Sequence, residues 1–496
     1  MRWFARCLLT GLILITTALA SANGLPPIRQ HRENPRYFEW RGKALALITS
    51  AEHYGAVLNL DFDYRRYLET LQRDGMNYTR IFSGSYVEPA GAFGIERNTL
   101  APAQGRFLSP WARSDQPGYA GGGNKFDLDR FSPEYLARLK DFLAEAGRRG
   151  IVVELTLFCS TYGDSQWSIH PFNPKNNVQS LAVSNWRKLN TPDNGPALAY
   201  QEELVRHLVR ELNAFDNLFF EIQNEPWADN RTMGEVINPY MTDNYRWPNA
   251  VEIPTAETVA WQAKIGDIIA DEESRLPNRH LIAQNIANFR LPIRPADLIP
   301  TAGLVNFHYA YPEAATWNLS LPIVIGYDET GFAGRDDATY RRQAWNFLLS
   351  GGGLFNNLDY SFTVGKEDGT DTTSKAPGGG SPALRRQLKI LSDFLHSFDL
   401  ATLRPDRDFV RSSPGVVTRV LSHPGRAYAV YMEGRFPTEL KLDLPAGTWQ
   451  IEWLNPADGS VSKSEPLSHP SSPCLLTSPS FEESAALRIA RTHTGP

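Results

Sequence analysis

Cysteine is nearly absent. The 496 residues hold three, Cys7, Cys159 and Cys474, with no CxxC pair, which leaves neither a disulfide framework nor a structural zinc site. A surplus of positive charge is missing as well. Fifty Lys and Arg against 55 Asp and Glu give a net charge of −5, which removes the electrostatic footprint a nucleic-acid partner requires. His170, His207, His280 and His308 show no metal-ligand spacing, so neither a metal nor any other cofactor is expected. Past the N-terminus no run approaches the ~18 apolar residues of a membrane-spanning helix. Sequence repeats and coiled-coil heptads are absent too.

The N-terminus, "MRWFARCLLTGLILITTALASANG", has Arg2 and Arg6 ahead of an apolar stretch over 8–14 and small-residue cleavage sites at 18–20 or 20–22. This is the build of a secretory signal peptide. The expectation is a signal over 1–22, a secreted or periplasmic location, and a soluble mature chain whose Cys159 and Cys474 are unpaired.

Apolar runs then alternate with amphipathic stretches. "ALALIT" (44–49), "MNYTRIF" (76–82), "IVVELTLF" (151–158), "NLFFEIQ" (217–223), "HLIAQN" (280–285), "LVNFHY" (304–309), "PIVIGY" (322–327) and "GGLFNN" (352–357) make eight. In "SPEYLARLKDFLAEAGRRG", Ser132 suits a helix cap and Pro133 the first turn; Leu136, Leu139, Phe142, Leu143 and Ala146 form one face. Strands alternating with such helices indicate βαβ units and a parallel sheet. Eight units predict an α/β fold, a (β/α)8 TIM barrel over 23–400. Long segments at 83–131, 159–195, 226–253 and 363–382 follow predicted strands, so they would crowd the C-terminal mouth where barrel active sites lie. From near 401 short alternating segments such as "AYAVYME" and "TWQIEWL" predict a small antiparallel β-sandwich over 401–496.

The stretch "LFFEIQNEPW" (218–227) ends an apolar run in Asn224 and Glu225, and "PIVIGYDETGF" ends another in Asp328 and Glu329. On strands four and seven these carboxylates would face one another across the mouth. Glycoside hydrolysis needs that arrangement: one acid to protonate the leaving oxygen, one carboxylate on the other side of the ring. Strand side chains alternate, so one of Asp328 and Glu329 is expected to point inward.

These segments resemble the two-glutamate (β/α)8 retaining glycosidases, most closely the cellulase-type glycoside hydrolase family 5. The resemblance implies that Glu225 is the general acid/base and Glu329, in the Glu-x-Gly spacing with Gly331, the nucleophile. It also implies that Asn224 binds the sugar 2-hydroxyl, that Arg80 in "NYTRIF" steadies the nucleophile, and that His308 and Tyr309 in "NFHYAYP" line the site, with Tyr311 an alternative to Tyr309. Family members usually carry His after strand three and Trp after strand eight, where this chain reads "ELTLFCS" and "NNLDYSF". His53 in "SAEHYG" is a candidate substrate contact or an ordinary core histidine. Arg80 is alternatively a partner for a buried carboxylate such as Glu221. Loop tryptophans such as Trp227 suit the apolar face of a pyranose.

The function expected is an exported retaining β-glycoside hydrolase acting on a polysaccharide or oligosaccharide. A non-catalytic carbohydrate-binding barrel and a transglycosylase using the same glutamates are the alternatives.

Overall fold

The structure, a computed structural model, describes residues 24–183, 185–238, 249–470 and 472–492. The expected signal peptide lies outside the described residues. Eight parallel strands form the central sheet: β1 (Leu47–Ala51), β2 (Tyr78–Phe82), β3 (Val152–Cys159), β4 (Leu218–Asn224), β5 (Ile282–Asn288), β6 (Leu304–His308), β7 (Val324–Glu329) and β8 (Leu354–Leu358). They follow the eight apolar runs of the sequence. Their order is β1-β8-β7-β6-β5-β4-β3-β2, so β1 and β2 meet at the seam. Asn77 bridges that seam: its Oδ1 accepts from the Ile48 amide at 2.8 Å and its Nδ2 donates to the Ala46 carbonyl at 2.9 Å.

Helices α1 (Tyr64–Arg73), α2 (Pro133–Arg148), α3 (Ala197–Leu212), α4 (Ala256–Glu273), α5 (Pro312–Thr316), α6 (Asp337–Leu348) and α7 (Pro382–His396) follow seven of the strands. Asp63 caps α1 through the amides of Arg65 and Arg66, and Ser132 caps α2. The alternation is broken after β5, where only a single turn, Pro295–Asp297, precedes β6. Pro292, Pro295 and Pro300 in "FRLPIRPADLIP" explain the break, because each lacks the amide a helix needs.

Period-two alternation stacks the barrel interior in layers. The lowest layer is apolar: Tyr78, Val152, Phe219, Leu304, Val324 and Leu354 pack against Ile28, Phe38 and Trp40. Phe38 and Trp40 belong to a small antiparallel sheet (Arg29–Gln30, Phe38–Trp40, Lys43–Leu45) that closes the barrel floor. One step up the interior turns polar, with Arg80, Glu154, Glu221 and Asn306 fully buried. Gly326 makes room there, since a Cβ at that position would lie 2.2 Å from Asn306 Oδ1.

The chain ends in an antiparallel sandwich, a six-stranded sheet facing a three-stranded one around Val430, Met432, Trp449, Ile451 and Leu487. Its outer face docks on the barrel. Tyr431 stacks on Trp345 of α6 with ring centres 5.3 Å apart, and Glu433 pairs with Arg342. Cys159 and Cys474 are buried in these two separate bodies as free thiols.

Candidate active site

The side chains that end the strands converge on a cavity of about 100 Å³ at the C-terminal mouth. Glu225, just past β4, and Glu329, the last residue of β7, both line it. One carboxylate oxygen of each, together with a His308 ring nitrogen, falls within a group whose members lie no more than 4.8 Å apart.

The two glutamates are held differently. Glu329 sits among donors: Tyr309 donates to Oε1 at 2.7 Å, Tyr54 to Oε2 at 2.8 Å, and the Arg80 guanidinium lies 3.4 Å from Oε2. Burial, reinforced by the Glu329 charge, raises both phenols well above their ordinary range, so they remain donors. Glu225 takes His308 Nδ1 at 2.9 Å on Oε1 and the Tyr162 hydroxyl at 2.8 Å on Oε2. Its amide donates to Asn285 Oδ1 at 2.9 Å, which fixes the turn out of β4.

Arg80 organises the floor beneath them. It contacts Glu221 through two nitrogens, lies 3.3 Å from Asp328, and donates to Asn224 Oδ1 at 2.7 Å. That last bond orients the Asn224 amide, so its Nδ2 is turned to the Tyr162 hydroxyl at 2.7 Å. Arg80 thus meets both the buried carboxylate and the nucleophile candidate. Burial alone would raise Asp328, but Arg80 and His308 outweigh it and hold the carboxyl below its ordinary range. Burial and the neighbouring Glu221 and Asp328 charges push Glu154 well above its ordinary range. Burial pushes His308 down, but the Glu329 and Asp328 charges outweigh it and hold the ring well above its ordinary range. Two trios, Glu225–His308–Glu329 and Glu154–Glu221–Asp328, have ligand atoms close enough to share a cation. Both trios are already supplied with protein donors, so a cation would have to displace these.

Asp328 and Glu329 depart from the expected alternation. Across the β6–β7 ladder Phe307 pairs with Tyr327 but His308 pairs with Glu329, which leaves Asp328 as an extra residue in a bulge. Both carboxylates therefore face the interior, Asp328 below and Glu329 at the mouth.

No family model matches the sequence, and no curated protein does. Solved structures match the fold. A glycoside hydrolase aligns with a TM-score of 0.60 at 11% identity, covering 94% of this chain and 97% of that one. A family 5 glycoside hydrolase from Bacteroides vulgatus aligns with a TM-score of 0.59 at 12% identity, covering 94% and 93%. The fold is that of the family 5 glycoside hydrolases.

On this fold the other sequence candidates fall into place unevenly. His53 lines the cavity, and Tyr309 reaches it where Tyr311 instead stacks on Phe289 at 5.6 Å. Trp227 is buried and meets His308 edge to face at 5.5 Å, so it reaches the cavity only through that ring. After β3, where the family's histidine is missing, Cys159 contacts Asn224 at 3.5 Å and Tyr162 supplies the hydroxyl. After β8, Tyr360 lies behind His53 with ring centres 6.0 Å apart.

Tyr54, Tyr162, Glu88, Phe93 and Phe332 line the cavity without having been singled out from sequence. One backbone signature links several wall residues. Tyr54 (φ 60°), Tyr162 (φ 64°), Glu225 (φ 46°) and Tyr309 (φ 48°) all adopt the left-handed conformation just past a strand end. Non-glycine residues rarely do so, and such strain concentrates at functional sites.

The wall beside His53 is fixed by Glu52, which is fully buried. Its carboxylate accepts from Thr99 Oγ1 at 2.6 Å and from the amides of Gly55 at 2.9 Å and Ala56 at 3.0 Å. Gly55 must be glycine, because a Cβ would come within 2.2 Å of the Thr99 carbonyl oxygen. Burial outweighs these bonds and pushes Glu52 from 4.5 up to about 7. An acid raised on folding contributes stability that is present below its unfolded value and lost as pH rises through its folded one. Glu52→Gln should therefore flatten the loss of stability between pH 5 and pH 8, an effect of about 3 kcal/mol. Urea unfolding of both proteins at the two pH values measures it.

Proposed function

We propose that the protein is an exported retaining β-glycoside hydrolase that acts by double displacement. The observation that carries this reading is the Glu225–Glu329 pair, whose carboxylates share one small cavity with separate sets of donors. So short a separation suits direct attack, since retaining pairs stand ~5–5.5 Å apart and inverting pairs ~6.5–9.5 Å. Export rests on the N-terminal segment, and the carbohydrate class on the site's likeness to the two-glutamate clan.

In the first step Glu329 Oε attacks the anomeric carbon while the bond to the leaving oxygen breaks. The Glu225 proton passes to that oxygen. The product is a glycosyl ester on Glu329 and a free alcohol. Glu225, now a carboxylate, takes a proton from water as that water attacks the anomeric carbon, which restores both side chains. Tyr54, Tyr309 and Arg80 stabilise the Glu329 carboxylate as it leaves. Asn224, held by Arg80, lines the cavity beside Glu225, and the likeness to the two-glutamate clan gives it the sugar 2-hydroxyl.

A barrel that only bound sugar would gain nothing from a carboxyl group ringed by three donors beside a second carboxyl group. The test is covalent capture. Incubation with 2-deoxy-2-fluoro-β-glycosides bearing a good leaving group is expected to add one fluorosugar mass to the peptide holding Glu329. Intact protein unlabelled by the whole panel, or a label on Asp328, would overturn the assignment.

A further inference from the structure

The cavity has an end that the two-glutamate chemistry leaves unused. Glu88, from the loop after β2, lines it together with His53 and Leu100. The polar contacts of Glu88 are with Asn98, with the Tyr86 hydroxyl at 3.3 Å and with His53 Nε2 at 3.5 Å, so it serves neither catalytic glutamate. His53 is only 8% exposed, and neither ring nitrogen has a hydrogen-bond partner among the described residues. A buried imidazole whose Nδ1 has no partner among the described residues and whose Nε2 has only a long contact to a carboxylate is costly unless a ligand completes it.

This wall is built rather than incidental. The Glu88 amide donates to the Leu100 carbonyl at 2.9 Å, and the Leu100 amide donates to Asn98 Oδ1 at 2.8 Å. Thr99 then ties the segment to Glu52 at 2.6 Å and to the His53 carbonyl at 2.8 Å. Phe93, which is 40% exposed, rises from the same loop at the mouth, and Phe332 (36% exposed) stands in the loop after β7. The space of about 100 Å³, open at the mouth, is small against the ~300–1,000 Å³ of clefts that hold larger ligands. A space of that size suits a single ring held beside Glu225 and Glu329.

The geometry points to an exo-acting enzyme whose Glu88 and His53 recognise hydroxyls on the far side of a neutral, non-reducing terminal sugar. The inference rests on the glycoside hydrolase reading and adds its substrate class. Glu88, Glu225 and Glu329 place three carboxyl groups on the cavity wall, and among the described residues no Lys or Arg lines it. At this end an anionic sugar group would face Glu88 with no Lys or Arg among the described residues to pair with it, whereas a carboxylate and an imidazole together can accept from and donate to a pair of hydroxyls.

The test uses the full chain and β-linked di- to tetrasaccharides of glucose, mannose, galactose and xylose, tagged at the reducing end with 2-aminobenzamide. Wild type is expected to remove one sugar at a time from the untagged end. Glu88→Gln should lower kcat/KM by roughly 10- to 100-fold, chiefly through KM. That penalty should vanish on the 3-deoxy or the 4-deoxy form of the terminal ring, whichever lacks the hydroxyl Glu88 holds. Glu88→Asp, assayed on the same deoxy series, serves if the glutamine variant does not fold. Internal cleavage, a preference for terminal uronic acid, or an equal penalty on every deoxy substrate would overturn the proposal while leaving the hydrolase intact. No hydrolysis of any glycan together with no fluorosugar label would instead remove the hydrolase reading, and this one with it.

Discussion

Glu329→Ala should lower kcat on every glycoside by roughly 10⁴-fold or more, natural and activated substrates alike. The uniformity matters as much as the size. No glycosyl ester can form without the attacking carboxylate, and a better leaving group does not supply one. The cavity left by the missing side chain keeps the Tyr54 and Tyr309 hydroxyls and the Arg80 guanidinium, which in the wild type all point at the Glu329 oxygens. Added azide or formate should therefore occupy it, attack the anomeric carbon from the same side, and return part of the activity with an inverted glycosyl product. Nuclear magnetic resonance of the product with a p-nitrophenyl β-glycoside measures the stereochemistry. Near-normal turnover by the variant on an oligosaccharide would place the nucleophile elsewhere.

Glu225→Ala should divide substrates by leaving group. Oligosaccharides need a proton on the departing oxygen and should lose ~10²–10⁴-fold. Dinitrophenyl glycosides depart without help, so their first step should be nearly unaffected. Their second step still lacks the base that activates water, so glycosyl-enzyme should accumulate on Glu329. A pre-steady-state burst of dinitrophenol, followed by slow turnover, is the expected trace. Equal losses on both substrate types would remove Glu225 from the acid/base role.

Much of this arrangement was legible in the chain. The eight apolar runs coincide with eight strands because each strand is sandwiched between barrel interior and helices, and burial on both faces writes a continuous apolar signal. Glu225 and Glu329 were readable because they terminate such runs. Three things were not. The missing helix after β5 is written in three prolines, a local signal that the alternating pattern overrode. The bulge that turns both Asp328 and Glu329 inward depends on the pairing of β7 with β6, which no single segment encodes. Glu88, Phe93 and Tyr162 come from long loops whose course is set by tertiary bonds such as Thr99 to Glu52, and loop sequences carry no periodicity to betray it.

The left-handed residues at the strand ends impose a conflict on anyone trying to toughen this molecule. Glycine at Tyr54, Tyr162, Glu225 or Tyr309 would relax a backbone that now costs about 1–3 kcal/mol at each position. Each such exchange would also delete one of the two glutamates or a hydroxyl that donates to one. A screen rewarding heat resistance alone would thus drift toward sturdy, inert barrels, with the gain and the loss entering through the same codons.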